Sequence, residues 1–244
     1  MAITVEPLHA RPRPREQMTR LLTDGWPEFI FHDQATGRYL GQVRELFGDL
    51  ELVLLDDGEV VAAGWAVPLR WNGQVEDLPA GYTDCLVRAL AAYDAGDFPD
   101  TLAVLAAQVR FERRGDGLAG MLLTAFRQLA EEAGWEYVIC PVRPTHKARY
   151  PLTPIGRYVE WTRPDGAPLD PWIRTHWRLG ARVLATAPRS QVITGTVAEW
   201  QTWTGLAFPD SGDYVIPDGL STLHIDREAD QGVYVEPNVW LQHR

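Results

Sequence analysis

The chain has 244 residues, room for one large domain or two small ones, and its 45% hydrophobic and 23% charged content is that of a globular protein. A net charge of −10 argues against sequence-independent nucleic-acid binding, which needs basic surface, and suits neutral or cationic small molecules. Two cysteines, Cys85 and Cys140, make neither a disulfide framework nor a zinc spacing, and no apolar run has the length of a membrane span or the make-up of a leader, so a cytoplasmic protein off the membrane is expected.

In chain order, Ile3 to Leu8 reads as a first strand, followed by a Pro/Arg-rich loop from His9 to Arg15. Pro14 to Leu22 reads as a helix with Met18, Leu21 and Leu22 apolar. Gly37 to Phe47 reads as another, with Tyr39, Leu40, Val43, Leu46 and Phe47 on one side. Leu50–Leu55 and Val60–Leu69 flank the turn Asp56-Asp57-Gly58-Glu59, a hairpin signal. The segment 70–99 is acidic through Glu76, Asp77, Asp84, Asp94 and Asp97, and carries a helical pattern near 84–93. It reads either as a lid or acceptor-site wall or as a solvated insertion.

Leu102 to Arg143 reads as strand, glycine turn, helix and strand. The apolar run Leu102–Ala107 suits a strand buried on both faces, and Leu118, Leu122, Ala125 and Leu129 make one helix stripe. Gly134 is placed to stop that helix, and Trp135–Cys140 reads as a second strand ended by Pro141. Two parallel strands joined by one helix form a right-handed unit. The turn between them, Arg114-Gly115-Asp116-Gly117-Leu118-Ala119, can bring free backbone N–H groups to a phosphate at the helix start.

The order Arg114-x-x-Gly117-x-Ala119, between a buried strand and an amphipathic helix, resembles the signature of the GNAT acetyltransferases. The resemblance implies an α/β fold of that type, a mixed central sheet flanked by helices, and the short strand-like pieces of the tail read as a C-terminal β-rich extension outside that core. It implies acetyl-CoA, or another acyl-CoA, as donor. Its pyrophosphate would lie on the backbone of Arg114, Gly115, Asp116, Gly117, Leu118 and Ala119, with Val109 and Phe111 beside it. The thioester would sit where the strands ending near Val109 and Cys140 splay apart, its carbonyl polarised by backbone N–H near Val109. By the same resemblance Trp26, Phe29, Phe31 and His32 line the acceptor side or simply pack. Residues 1–200 would form the core with 70–99 inserted, and 201–244 an extension packed on it.

After Cys140 the chain has Pro141 to Thr145 where many relatives carry an asparagine. Arg143, Lys147 and Arg149 either meet CoA phosphates or form a solvated basic loop. Asp170-Pro171 is a helix start, Asp at N-cap and Pro at N1. That helix ends in His176-Trp177-Arg178-Leu179-Gly180, resembling the family ending in which a tyrosine precedes leucine-glycine. His176 therefore stands where a general acid to the departing thiolate is expected, or else packs. Arg182–Thr186 and Gln191–Thr196 read as strands, as do shorter pieces at 213–216, 223–225 and 232–235. His224, Asp226, Glu228 and Asp230 lack the spacing of a metal set, so no metal is expected. Ten tryptophans, six of them after residue 160, point to an aromatic pocket or core in the C-terminal part.

Acyl transfer from acyl-CoA to a small-molecule amine is the reading these residues favour. Other acyl groups or nucleophiles on the same fold, or a CoA-binding protein without turnover, are the alternatives. Asp84, His32, His146 and water relays are all open as the base, and a homodimer is as compatible with the sequence as a monomer.

Overall fold

The computed structural model describes residues 3–10, 18 and 21–243. Nine strands form one mixed sheet: β1 (Thr4–Pro7), β2 (Glu51–Asp56), β3 (Glu59–Leu69), β4 (Thr101–Val109), β5 (Tyr137–Val142), β6 (Arg182–Gly195), β7 (Gly212–Val215), β8 (Thr222–Asp226) and β9 (Gln231–His243). The order is β1-β2-β3-β4-β5-β9-β8-β7, with β6 pairing on β9. Among these strands β4 and β5 run parallel, and the remaining pairs are antiparallel.

Helices α1 (Gln34–Leu46) and α2 (Tyr82–Ala95) lie on one face. Helices α3 (Leu118–Glu132), α4 (Ile155–Tyr158) and α5 (Pro171–Arg178) lie on the other. A sixth described helix, α6 (Val197–Thr204), follows β6 behind a Thr196/Glu199 capping box. None of the described helices is long and apolar enough to cross a membrane.

The apolar stripe of α3 explains its place. Leu118, Leu122, Leu123, Phe126 and Ala130 are buried against Leu52, Leu54, Leu102, Val104 and Val138. Each such leucine contributes roughly 1.5–3 kcal/mol by leaving water. Gly134 (φ 72°) closes the helix, its N–H donating to Glu131 O and that of Trp135 to Ala130 O. Residues 70–99 contribute one side to the core and leave the other exposed. Trp71, Cys85, Leu86, Ala89 and Leu90 are buried with Val67, Ala103 and Trp240.

Three expectations change. Pro141 does not end its strand: β5 runs to Val142 and pairs with β9. Past Ile139 the strand has no neighbour on its β4 side, so the missing proline N–H breaks no ladder bond there. The two strands expected at 182–186 and 191–196 are one, β6, with a register shift between Ala187 and Gln191. The third change is the length of β9, which reaches from Gln231 to His243, seats its last residues beside β5 and its first beside β8. Pro237 did not interrupt it because it faces the bulged stretch 188–190 of β6, where a ladder donor is not needed. Of the helix expected over 14–22, Met18, Leu21 and Leu22 are helical, and residues 14–17, 19 and 20 lie outside the described residues.

Candidate active site

The site begins with a failure of two strands to stay paired. β4 and β5 are in register only at Thr101–Tyr137, Leu102–Val138 and Ala103–Ile139, and then part. On its other edge β4 carries one extra residue: Trp65 pairs with Ala106 and Ala66 with Val104, leaving Leu105 as a bulge. The Arg110 N–H donates to Val61 O at 3.0 Å. Strand alternation therefore aims the N–H groups of Val109 and Ala107 at the open edge, facing the cleft. At the apex sits Cys140, 1% exposed. Burial pushes its thiol pKa up, while a hydrogen bond from the Val104 backbone N–H pulls it down.

Beyond the open end of β4 comes the turn. Gly115 and Gly117 have φ of 101° and 80°, left-handed values that a side chain disfavours. A Cβ at either would meet nothing within 4 Å, so the space above the turn is open. α3 starts at Leu118 with no side-chain cap. The N–H groups of Gly115, Gly117, Leu118, Ala119 and Gly120 find no acceptor among the described residues. Together with the helix dipole they can cradle a diphosphate. Arg113 is occupied, at 2.9 Å from Asp56 and 2.7 Å from Asp116, so the Asp116 carboxylate is drawn to it. Arg114 lies over the exposed Phe111 ring at 5.0 Å and remains available to an anion.

His176 is carried to the cleft by a buried cap. Asp170, 2% exposed, accepts from the N–H groups of Trp172 and Ile173 through Oδ1, and from the Tyr158 hydroxyl and the His146 N–H through Oδ2. That network fixes the start of α5 and so the direction of its last turn. His176 is 1% exposed, with Nδ1 at 2.8 Å from His243 Nε2 and Trp172 edge-on to its ring. Burial, then the neighbouring His243, holds its pKa well below the usual histidine range. Burial and the charge of Arg127 push His243 down to about 4. Both shifts favour the neutral rings, and a neutral His176 acts as a hydrogen-bond donor or acceptor rather than as an imidazolium acid. Its Nε2 is buried and has no partner among the described residues, nor has His243 Nδ1.

Cys140, His176 and His243 each offer an atom within 4.8 Å of the others, the arrangement among the described residues that could hold a transition metal. The carboxylates noted after His224 do other work. Asp226 accepts from the N–H groups of Glu228 and Ala229, and Asp230 from that of Val197. His224 itself pairs with Asp213 at the surface.

The opposite face of the cleft is assembled from distant segments. Gln108 on β4 accepts from Trp26 Nε1 at 3.1 Å and donates to Asp24 O at 2.7 Å. Across the cleft the Arg143 guanidinium lies over the Trp26 ring at 5.6 Å and pairs with Glu236 Oε1 at 2.5 Å. Glu236 is fully buried and also accepts from the Tyr234 hydroxyl. Arg143 and Lys147, offered by the sequence to CoA phosphates, are thus turned inward. Lys147 donates to Tyr150 O and Leu220 O, and burial lowers its pKa to about 8. Of the four residues read as acceptor lining, Trp26 stands at the cleft. Phe29 packs between Trp200 and Tyr234, and His32 stacks on Trp203. Phe31 is exposed. Asp84 is taken by Ala80 N–H and Arg88. Gln108, Glu236 and His243 went unnoticed in the sequence, although a glutamate inside the apolar run Val233–Val239 was a signal.

A parallel pair splaying over a bulge, followed by an uncapped helix start, is the donor-binding geometry of the GNAT superfamily, and the chain belongs to it. It is 33% identical over 247 residues, 89% of this chain and 84% of the relative, to the arginine N-acetyltransferase avaD of Aspergillus versicolor. The fold is that of the loading GNATL domain of CurA from Lyngbya majuscula (14% identical, TM-score 0.62, covering 100% of this chain and 98% of that one). It is also that of the GphF GNAT-like decarboxylase in complex with isobutyryl-CoA (18% identical, TM-score 0.57, 100% and 98% covered). No protein-family model matches the chain. The protein is accordingly an acyl-CoA-dependent acyltransferase acting on an amine.

Proposed function

We propose that this enzyme transfers acetyl from acetyl-CoA to an amine of arginine or of a small arginine-like cation. The relative of that activity, aligned over 89% of the chain, carries the reading. The net charge of −10 agrees with a cationic acceptor.

In this reading the pyrophosphate rests on the free N–H groups from Gly115 to Gly120, with Arg114 beside it. The pantetheine arm then follows the open β4 edge, whose N–H groups at Ala107 and Val109 substitute for a missing strand. A backbone N–H of that edge polarises the thioester carbonyl. The neutral amine attacks the carbonyl carbon, a C–N bond forms, and the C–S bond breaks. The proton lost by the attacking nitrogen ends on the CoA sulfur. His176 hydrogen-bonds the departing sulfur through its unpartnered Nε2 and does not supply the proton itself.

Free-thiol release from acetyl-CoA, measured with arginine and a panel of other amines, tests the acceptor. Turnover is expected with arginine, and turnover with other amines but not with arginine would overturn it. His176→Phe should lower kcat by about tenfold or more with acetyl-CoA affinity kept, the loss of one transition-state hydrogen bond. Full activity would remove His176 from the mechanism.

A further inference from the structure

Two neutral imidazoles share one hydrogen bond, so one must donate and the other accept. His176 Nδ1 and His243 Nε2 are the atoms joined, at 2.8 Å. Each ring then has one nitrogen left over, His176 Nε2 and His243 Nδ1, and both are buried without a partner among the described residues. If His243 donates, the leftover hydrogen is on His176 Nε2 and the leftover lone pair is on His243. If His176 donates, the reverse holds, and a buried N–H is stranded on His243.

The role given to His176 separates these cases. His176 belongs to the group at the apex of the splay, with Cys140 beside it and the Val104 N–H reaching Cys140. A hydrogen on His176 Nε2 gains an acceptor there once a sulfur arrives. A hydrogen on His243 Nδ1 would stay unsatisfied.

We propose that His243 is a positioning residue: its Nε2–H donates to His176 Nδ1 and so holds His176 as the Nε2–H tautomer, the one that can hydrogen-bond the departing CoA thiolate. The assignment rests on the role given to His176 above. His243 reaches no substrate; it acts through the neighbouring ring. The last turn of α5 and the end of β9 are brought together for this, since β9 pairs with β5 at Val138–His243. A histidine pair of this kind fixes which nitrogen bears the proton just as a carboxylate partner does, without adding a charge to a site about to hold a thiolate.

The test uses the full-length enzyme. Nitrogen-15 histidine labelling with long-range proton correlation reads the tautomer directly. His176 is expected as Nε2–H in the native protein and as a mixture in His243→Leu. Kinetically, His243→Leu should lower kcat by about tenfold, the worth of one such hydrogen bond, with KM for acetyl-CoA unchanged. His243→Gln, whose amide can place an N–H where Nε2 stood, should recover most of the loss. A purely structural role would lower the thermal midpoint of both variants and spare kcat per folded molecule. His176 found as Nδ1–H in the native protein overturns the proposal, as does an unchanged kcat in His243→Leu. So does one tightly held equivalent of zinc at Cys140, His176 and His243. If His176→Phe keeps full turnover, the role of His176 falls. If it loses turnover while His243→Leu does not, only the tautomer assignment falls.

Discussion

The two sides of the cleft are built from different materials. On the donor side, the turn from Gly115 to Gly120 and the open edge of β4 offer backbone N–H groups, all within a few residues of one another. On the acceptor side, Trp26, Gln108, Arg143, Tyr234 and Glu236 come from four parts of the chain and meet through side chains. Backbone binding survives most substitutions, because any residue supplies an N–H. Side-chain assembly does not. A ligand common to many enzymes suits the first construction, and an acceptor peculiar to one suits the second.

That contrast can be broken at several points. The largest effect is expected from Glu236→Ala, which leaves the Arg143 guanidinium and the Tyr234 hydroxyl without their buried partner. Stability in urea should fall by about 3 kcal/mol; a loss under about 1 kcal/mol would mean that the acceptor side does not depend on this carboxylate. Next comes Gly117→Asp, measured as acetyl-CoA affinity by calorimetry. A carboxylate beside the phosphate-binding N–H groups should weaken binding by about tenfold or more. Gly117→Asn tolerates the same left-handed backbone without the charge and should lose much less. Equal losses would assign the effect to strain. The smallest is Trp26→Ala. KM for the acceptor should rise by about threefold to tenfold with KM for acetyl-CoA unchanged, the size of one lost aromatic contact. A rise in the donor KM instead would place Trp26 on the wrong side of the comparison.

The same division governs what could be read from the sequence. The donor side was legible because its signals are local: an apolar run, two glycines needing positive φ, and a helix stripe, all between Leu102 and Arg143. The N-cap Asp170 with Pro171 was legible for the same reason. The acceptor side was not, because most of its contacts join segments far apart in the chain, Arg143 to Glu236 among them. β9 shows the difficulty most clearly. Pro237 reads locally as punctuation, and only the bulge in β6 opposite it makes the strand continuous. His243 could acquire meaning only once that strand was known to end beside β5. Burial, which no local pattern reveals, lowers the pKa of His176 and so bears on the role proposed for it.

Gly195 and Gly232 are register partners at the end of β6 and the start of β9, so the segment between them begins and ends at neighbouring points, ~5 Å apart. Everything between them, α6 and the β7–β8 hairpin, is in effect one elaborated hairpin loop. Its buried side packs on Phe29 and Ile30, next to the acceptor wall, and not on the α3 face. Such a segment can be exchanged as a cassette: a new insert between the same two glycines could redraw the acceptor wall while the donor cradle, made elsewhere and of main chain, continues to hold the same coenzyme.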